Sequence, residues 1–135
     1  MKRYSVIEYD LPHGWVAEEE DDVLEIYAED GDGAITLSVY SFLLPLKEFH
    51  KAVYSMAEKM CLDNGVDPQG RLQWECKKDR EAAVSGGGIT SDSWLMKLWC
   101  VAKYPKIVMA TYFSKTESQE MEICDQIIKS IRFSL

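Results

Sequence analysis

Residues able to do chemistry are few in this chain, and most stand far apart. Four cysteines lie at positions 61, 76, 100 and 124, separated by 15, 24 and 24 residues, and no C-x-x-C pair occurs. Zinc sites and redox dithiols are announced by close-spaced pairs, so Cys61, Cys76, Cys100 and Cys124, each inside an apolar pattern, read as free packed thiols. The two histidines are His13, in a turn beside Pro12 and Gly14, and His50, at the margin of an apolar stripe. Neither G-x-S-x-G nor H-E-x-x-H can be written anywhere, so no nucleophile elbow and no helix-borne zinc site is expected. Gly86-Gly87-Gly88 fits neither phosphate-cradling glycine pattern and is expected to be a bulge or a flexible connection between strands. Asp30 and Asp32 before Gly33 mimic the middle of an EF-hand loop. Its first position would be Ala28 and its twelfth Val39, which removes the leading ligand and the bidentate one. A turn with glycine at positive φ is expected there instead. No catalytic residue, cofactor or metal is expected.

What remains is charge. The 135 residues carry 15 bases and 23 acids, a net −8, and the imbalance is confined to one end. Residues 1–46 hold 11 acids against Lys2 and Arg3 alone, a net −9, while residues 47–135 are nearly neutral at +1. Residues 18–22 are an unbroken run of Glu18, Glu19, Glu20, Asp21 and Asp22, followed by Glu25, Asp30 and Asp32. Five like charges in a row repel one another, a cost that a solvated tip or a basic partner would offset. Such a field repels phosphate backbones and anionic lipid, so nucleic acid and membrane surfaces are poor partners. It attracts a basic protein.

The elements that must position these groups follow from periodicity. Residues 4–9 suggest a first strand, closed by the turn Leu11-Pro12-His13-Gly14. Residues 15–20 and 23–28 flank Asp21-Asp22 as a hairpin with an acidic tip, Val23, Glu25 and Tyr27 on one face and Leu24, Ile26 and Ala28 on the other. After a turn at 29–33, Ile35, Leu37 and Val39 alternate along the next strand, making the N-terminal third a meander. Past Pro45, Leu46, Phe49, Val53, Met56, Ala57 and Met60 share one helical stripe, which ends before Gly65. Leu72, Trp74 and Cys76 mark a strand wet on one side, and residues 81–85 a weaker one. Residues 94–104 and 107–113 are apolar on both faces, hence central, and the short Tyr104-Pro105-Lys106 link makes them antiparallel. Thr116-Glu117-Ser118-Gln119 matches a capping box before a second helix carrying Met121, Ile123, Cys124, Ile127, Ile128 and Ile131. Residues 1–135 are thus expected to form one α+β domain, a mostly antiparallel sheet with one helix on each face, an α/β/α sandwich.

This layout resembles the PsbP-like superfamily, in its DcrB-like bacterial branch. The residues carrying the likeness are Leu11-Pro12-His13-Gly14-Trp15, similar to the family's opening L-P-x-G-W, the 94–112 hairpin, and the closing Ile127-Ile128-Lys129-Ser130-Ile131-Arg132-Phe133. The resemblance implies binding and assembly roles that diverge widely, and it carries no functional residue onto this chain.

No apolar run reaches the roughly 20 residues of a membrane helix, and residues 1–10 lack the apolar core of a secretory signal, so a cytoplasmic setting is expected. The leading expectation is a non-enzymatic interaction module that engages a basic protein, in one version an immunity-type inhibitor of a cationic toxin. Its partner-binding residues would be Glu18, Glu19, Glu20, Asp21, Asp22, Glu25, Asp30 and Asp32, joined by any exposed aromatic among Trp15, Tyr27 and Tyr40. The alternatives are a small-molecule or catalytic pocket between sheet and helix, and a homodimer through a sheet edge.

Overall fold

The computed structural model describes residues 1–117 and 119–135. In chain order these form β1 (Lys2–Tyr4), β2 (Ile7–Tyr9), β3 (Trp15–Glu20), β4 (Val23–Ala28), β5 (Ala34–Ser41), a 3-10 turn (Leu46–Glu48) and α1 (Phe49–Asp63). There follow β6 (Leu72–Lys77), β7 (Glu81–Ile89), β8 (Leu95–Lys103), β9 (Lys106–Ser114), α2 (Glu120–Lys129) and β10 (Arg132–Phe133). Seven strands make one antiparallel sheet in the order β3-β4-β5-β9-β8-β7-β6, and β1-β2-β10 make a small second sheet. The fold is therefore mixed α+β, with a large antiparallel sheet and two helices.

Strands β8 and β9 lie inside the sheet because their sequences supply apolar side chains in both directions. Met96, Leu98, Cys100, Ala102, Ile107 and Met109 pack in a cluster with Phe49, Val53, Ala57 and Cys61 of α1. Their neighbours Trp99, Val108, Ala110 and Tyr112 pack in another cluster with Cys124, Ile127 and Ile128 of α2. Helix α1 buries every fourth residue from Phe49 to Cys61 and stops on a left-handed Gly65 at φ +74. There the Gly65 N–H donates to Leu62 O at 3.1 Å and the Val66 N–H to Cys61 O at 2.9 Å, while Val66 joins Cys61 in the core. The opening motif is likewise a turn, closed by Trp15 N–H to Pro12 O at 3.2 Å with Gly14 at φ +84, and it delivers Trp15 into the core.

Four expectations need correction. The single strand over 4–9 is broken by Ser5 at φ 52 into a tight hairpin, which leaves the meander and pairs with β10. The meander is β3-β4-β5 alone. Gly86, Gly87 and Gly88 are neither a bulge nor a connection; they sit inside β7, in register with Leu98, Lys97 and Met96 of β8. Close approach explains them, since a Cβ on Gly86 would strike the Arg71 carbonyl and one on Gly87 the Met96 carbonyl. Gly31 and Gly33 do not adopt positive φ. A Cβ on Gly31 would lie 2.6 Å from the Glu120 carboxylate, and one on Gly33 would strike the Phe113 carbonyl. The capping box does not form, because α2 begins later, on Gln119 without a side-chain cap, while Ser114 Oγ donates to the Thr116 carbonyl at 2.7 Å. Ser118 of that box lies outside the described residues. Among the described residues, no helix is long and apolar enough to cross a membrane.

Candidate functional site

Strand β3 is an edge of the large sheet, paired with β4 only, and it carries Glu18, Glu19 and Glu20 in exposed positions. The period-two pleat divides them. Glu18 stands opposite Glu25 and Glu20 opposite Val23, so Glu18, Glu20 and Glu25 share one face, with Tyr27 donating its hydroxyl to Glu18 Oε1 at 2.7 Å. That bond and the surrounding carboxylates raise the Tyr27 phenol above its ordinary value. Glu19 stands opposite the buried Leu24 and thus faces the other way. Tyr9 and Tyr4 are both raised by burial first and by the Glu19 charge second.

Asp21 and Asp22 form the hairpin tip, Asp21 accepting a left-handed φ of 44 that an aspartate tolerates better than most residues. At this end of the sheet, Asp21 and Asp22 line a cleft of about 580 Å³ together with Tyr4, Ser38 and Tyr40. Tyr40 is 48% exposed, and beyond it Leu43 and Leu44 are 90% and 58% exposed. Trp15 is buried and Tyr27 half-buried, so Tyr40 is the aromatic that stands open beside the acids.

Asp30 and Asp32 are not part of this end. A six-residue strand separates them from the tip, about 20 Å at the usual rise, and they flank the start of α2. There the Asp32 N–H donates to Glu120 Oε2 at 2.7 Å and the Tyr112 hydroxyl to Glu120 Oε1 at 3.2 Å, so this turn has a structural duty. The ion pairs among the described residues are Arg3–Glu8, Lys59–Asp63, Lys129–Asp125 and Arg132–Asp10, and none involves the eight acids singled out by the sequence.

Three of the four thiols are held away from the reactive thiolate, Cys61 by burial and then by the Glu58 charge. All four are free. Burial pushes the Cys100 thiol up to about 12 and, with the Glu120 charge, Cys124 to about 12 as well. His50 is tied to the backbone, its Nε2 against the Lys78 and Glu81 carbonyls and its ring against Phe49 and Trp74. Among the described residues no three His, Cys, Asp or Glu side chains converge as a metal site.

One constellation was invisible in the sequence. Between α2 and strands β6–β8 lies a cavity of about 180 Å³ whose polar members come from four elements: Glu75, Ser85, Trp99 and the pair Asp125 and Lys129. Ser85 Oγ donates to Glu75 Oε1 at 2.6 Å and holds the carboxyl below its usual range, with Gln73 adding a second donor at 2.8 Å. Burial acts to raise the Asp125 carboxyl, but the bonds from Lys129 and from Trp99 Nε1–H at 3.0 Å outweigh it and leave the value lowered. Asp125 in turn raises Lys129. Only the i,i+4 spacing of Asp125 and Lys129 could have been read beforehand.

No protein-family model and no curated protein matches the chain. Solved structures do. A crystal structure from Bacteroides thetaiotaomicron VPI-5482 aligns with TM-score 0.65 at 10% identity, over 95% of this chain but 45% of that one, so this chain spans under half of the longer protein. The solution structure of cyanobacterial PsbP (CyanoP) from Synechocystis sp. PCC 6803 aligns with TM-score 0.59 at 12% identity, over 95% of this chain and 86% of that one. With 95% of the chain covered in that alignment, the chain has a PsbP-like fold.

Proposed function

We propose that this protein is a non-enzymatic interaction module that uses the acidic end of the β3–β4 hairpin to engage a basic protein, an immunity-type inhibitor being one concrete form. The observation that carries this reading is the half-exposed Tyr40 in one cleft with Asp21 and Asp22, which have no cation partner among the described residues. An exposed aromatic beside uncompensated charge is the composition of an interface hot spot, and the exposed Leu43 and Leu44 follow Tyr40 closely in the chain. Glu18, Glu19, Glu20 and Glu25 supply the steering field along the adjoining edge. Asp30 and Asp32 fall outside the surface.

An α/β/α sandwich with one helix on each face is part of the same reading. It is supported by the way alternate residues of β8 divide between a cluster with α1 and a cluster with α2. A reducing, cytoplasmic setting suits four thiols kept apart as packed groups. Self-pairing through the sheet edges is disfavoured, because β3 is blunted by its glutamates and β6 by a register break at Glu75 and by Lys77.

Affinity capture from a lysate, at low and high salt, tests the proposal. The wild-type chain retains a basic protein at low salt, and a variant carrying Asp21→Asn, Asp22→Asn and Tyr40→Ala loses it. Capture that ignores both salt and these substitutions overturns it.

A further inference from the structure

We propose that the cavity between α2 and strands β6–β8 is a binding site for a monocation on a short apolar stem, an alkylammonium or alkylguanidinium group. It goes beyond the protein-interaction reading and does not depend on it, since no residue is shared between the two surfaces.

The lining itself carries Glu75 and Asp125 against Lys129, a net −1, with Lys97 acting on Asp125 from outside it. Asp125 and Lys129 neutralise each other at 2.9 Å, and the second Asp125 oxygen is occupied by the Trp99 indole N–H. Glu75 is left without an ion pair among the described residues; it is open to solvent on one side, and Lys129 acts on it at longer range. Both its donors, Ser85 and Gln73, bind Oε1, which leaves Oε2 without a donor among the described residues. A carboxylate fixed through one oxygen with the other free is preorganised to accept a charge-assisted bond.

Three further observations show the site as built. Ser85, the anchor of Glu75, is a polar residue only 3% exposed. The β6–β7 register breaks between Trp74 and Cys76, leaving Glu75 at a bulge, a device that re-aims one side chain at the margin of a sheet. The walls are apolar, from Ala83, Val101, Ile128 and Ile131. A volume of about 180 Å³ admits about six water-sized groups, the size of a branched five-carbon amine. Small residues at alternate positions of β7, Ala83, Ser85 and Gly87, continue the floor into hollows of about 470 Å³ and 140 Å³ on either side, so a stem can lead out of the cavity.

The test is an NMR titration of the wild-type chain at neutral pH with 3-methylbutylamine, following the Trp99 indole N–H and the methyl groups of Ile128 and Ile131. Saturable shifts at these three places are expected in the millimolar range, with 3-methylbutan-1-ol, of the same shape, and 3-methylbutanoate, of the same carbon skeleton, binding at least about tenfold more weakly. Glu75→Gln should lower amine affinity about tenfold while leaving the alcohol unchanged. A second arm with capped lysine distinguishes the source: tighter binding than the free amine assigns the site to a peptide side chain, and weaker binding to a small free amine. Absence of shifts at the three places, or equal binding of amine, alcohol and carboxylate, overturns the proposal. That comparison is made on the wild-type chain and holds whether or not the variant folds.

Discussion

Glutamates that face each other across two paired strands destabilise the sheet that carries them, so removing one should strengthen the fold. Glu18 and Glu25 are direct register partners on β3 and β4. Their Cβ atoms therefore lie about 5 Å apart, and like charges so placed cost about 0.2–1 kcal/mol. Glu25 is the cleaner one to change, because Glu18 also accepts the Tyr27 hydroxyl. Glu25→Gln keeps shape and strand polarity, and should stabilise the protein by about 0.5 kcal/mol at low ionic strength, or about 1–4 °C in Tm for a domain of this size. The assay is thermal unfolding followed by circular dichroism at ionic strengths of about 0.01 M and 1 M, where the Debye length falls from about 30 Å to about 3 Å. The gain should shrink at high salt. A variant less stable than wild type at low salt, or a gain that salt leaves untouched, would refute the idea that electrostatic repulsion is stored in this ribbon.

Two other perturbations probe the body of the fold. Ser85→Ala removes the bond that lowers the Glu75 carboxyl from its ordinary 4.5. A carboxyl depressed in the folded state stabilises above its unfolded value, and that contribution is lost as pH falls through the folded value. The deficit of Ser85→Ala, about 1 kcal/mol after discounting for the solvent that screens Glu75, should be full above about pH 5 and vanish at lower pH in urea unfolding. A deficit constant down to about pH 2 would contradict it. Gly87→Ala would press a methyl group onto the Met96 carbonyl of the paired strand and should cost about 1–3 kcal/mol, measured by the same unfolding curves. A neutral result would mean that β7 relaxes freely.

How far the residues announced their places depends on the range of the interaction. Alternation along β4 and β5 sent Leu24, Ile26, Ile35 and Leu37 inward as expected, and the two-faced apolar runs of β8 and β9 marked the interior of the sheet. The stripe of α1 and its stop at Gly65 were equally legible, since both are set within a few residues. Ser5 was not, because its left-handed turn is sustained by β10 at the far end of the chain. The start of α2 was not legible because it is tied to distant parts of the chain, Glu120 accepting from the Asp32 N–H and the Tyr112 hydroxyl. The acids of the first 46 residues lie close in sequence, yet the period of a strand turns Glu19 away from Glu18 and the length of β4 carries Asp30 and Asp32 to the opposite end. The Glu75–Ser85 and Trp99–Asp125 pairs join residues 10 and 26 apart, and no local pattern encodes them.

The most direct measurement is the affinity of the captured basic partner, across a salt series, for the wild-type chain, for Asp21→Asn with Asp22→Asn, and for Tyr40→Ala. The double asparagine variant should bind more weakly, with a shallower salt dependence. Tyr40→Ala should weaken binding by about tenfold at every salt concentration without changing that slope. Equal affinity of all three proteins, with one common dependence on salt, would contradict the proposed interaction.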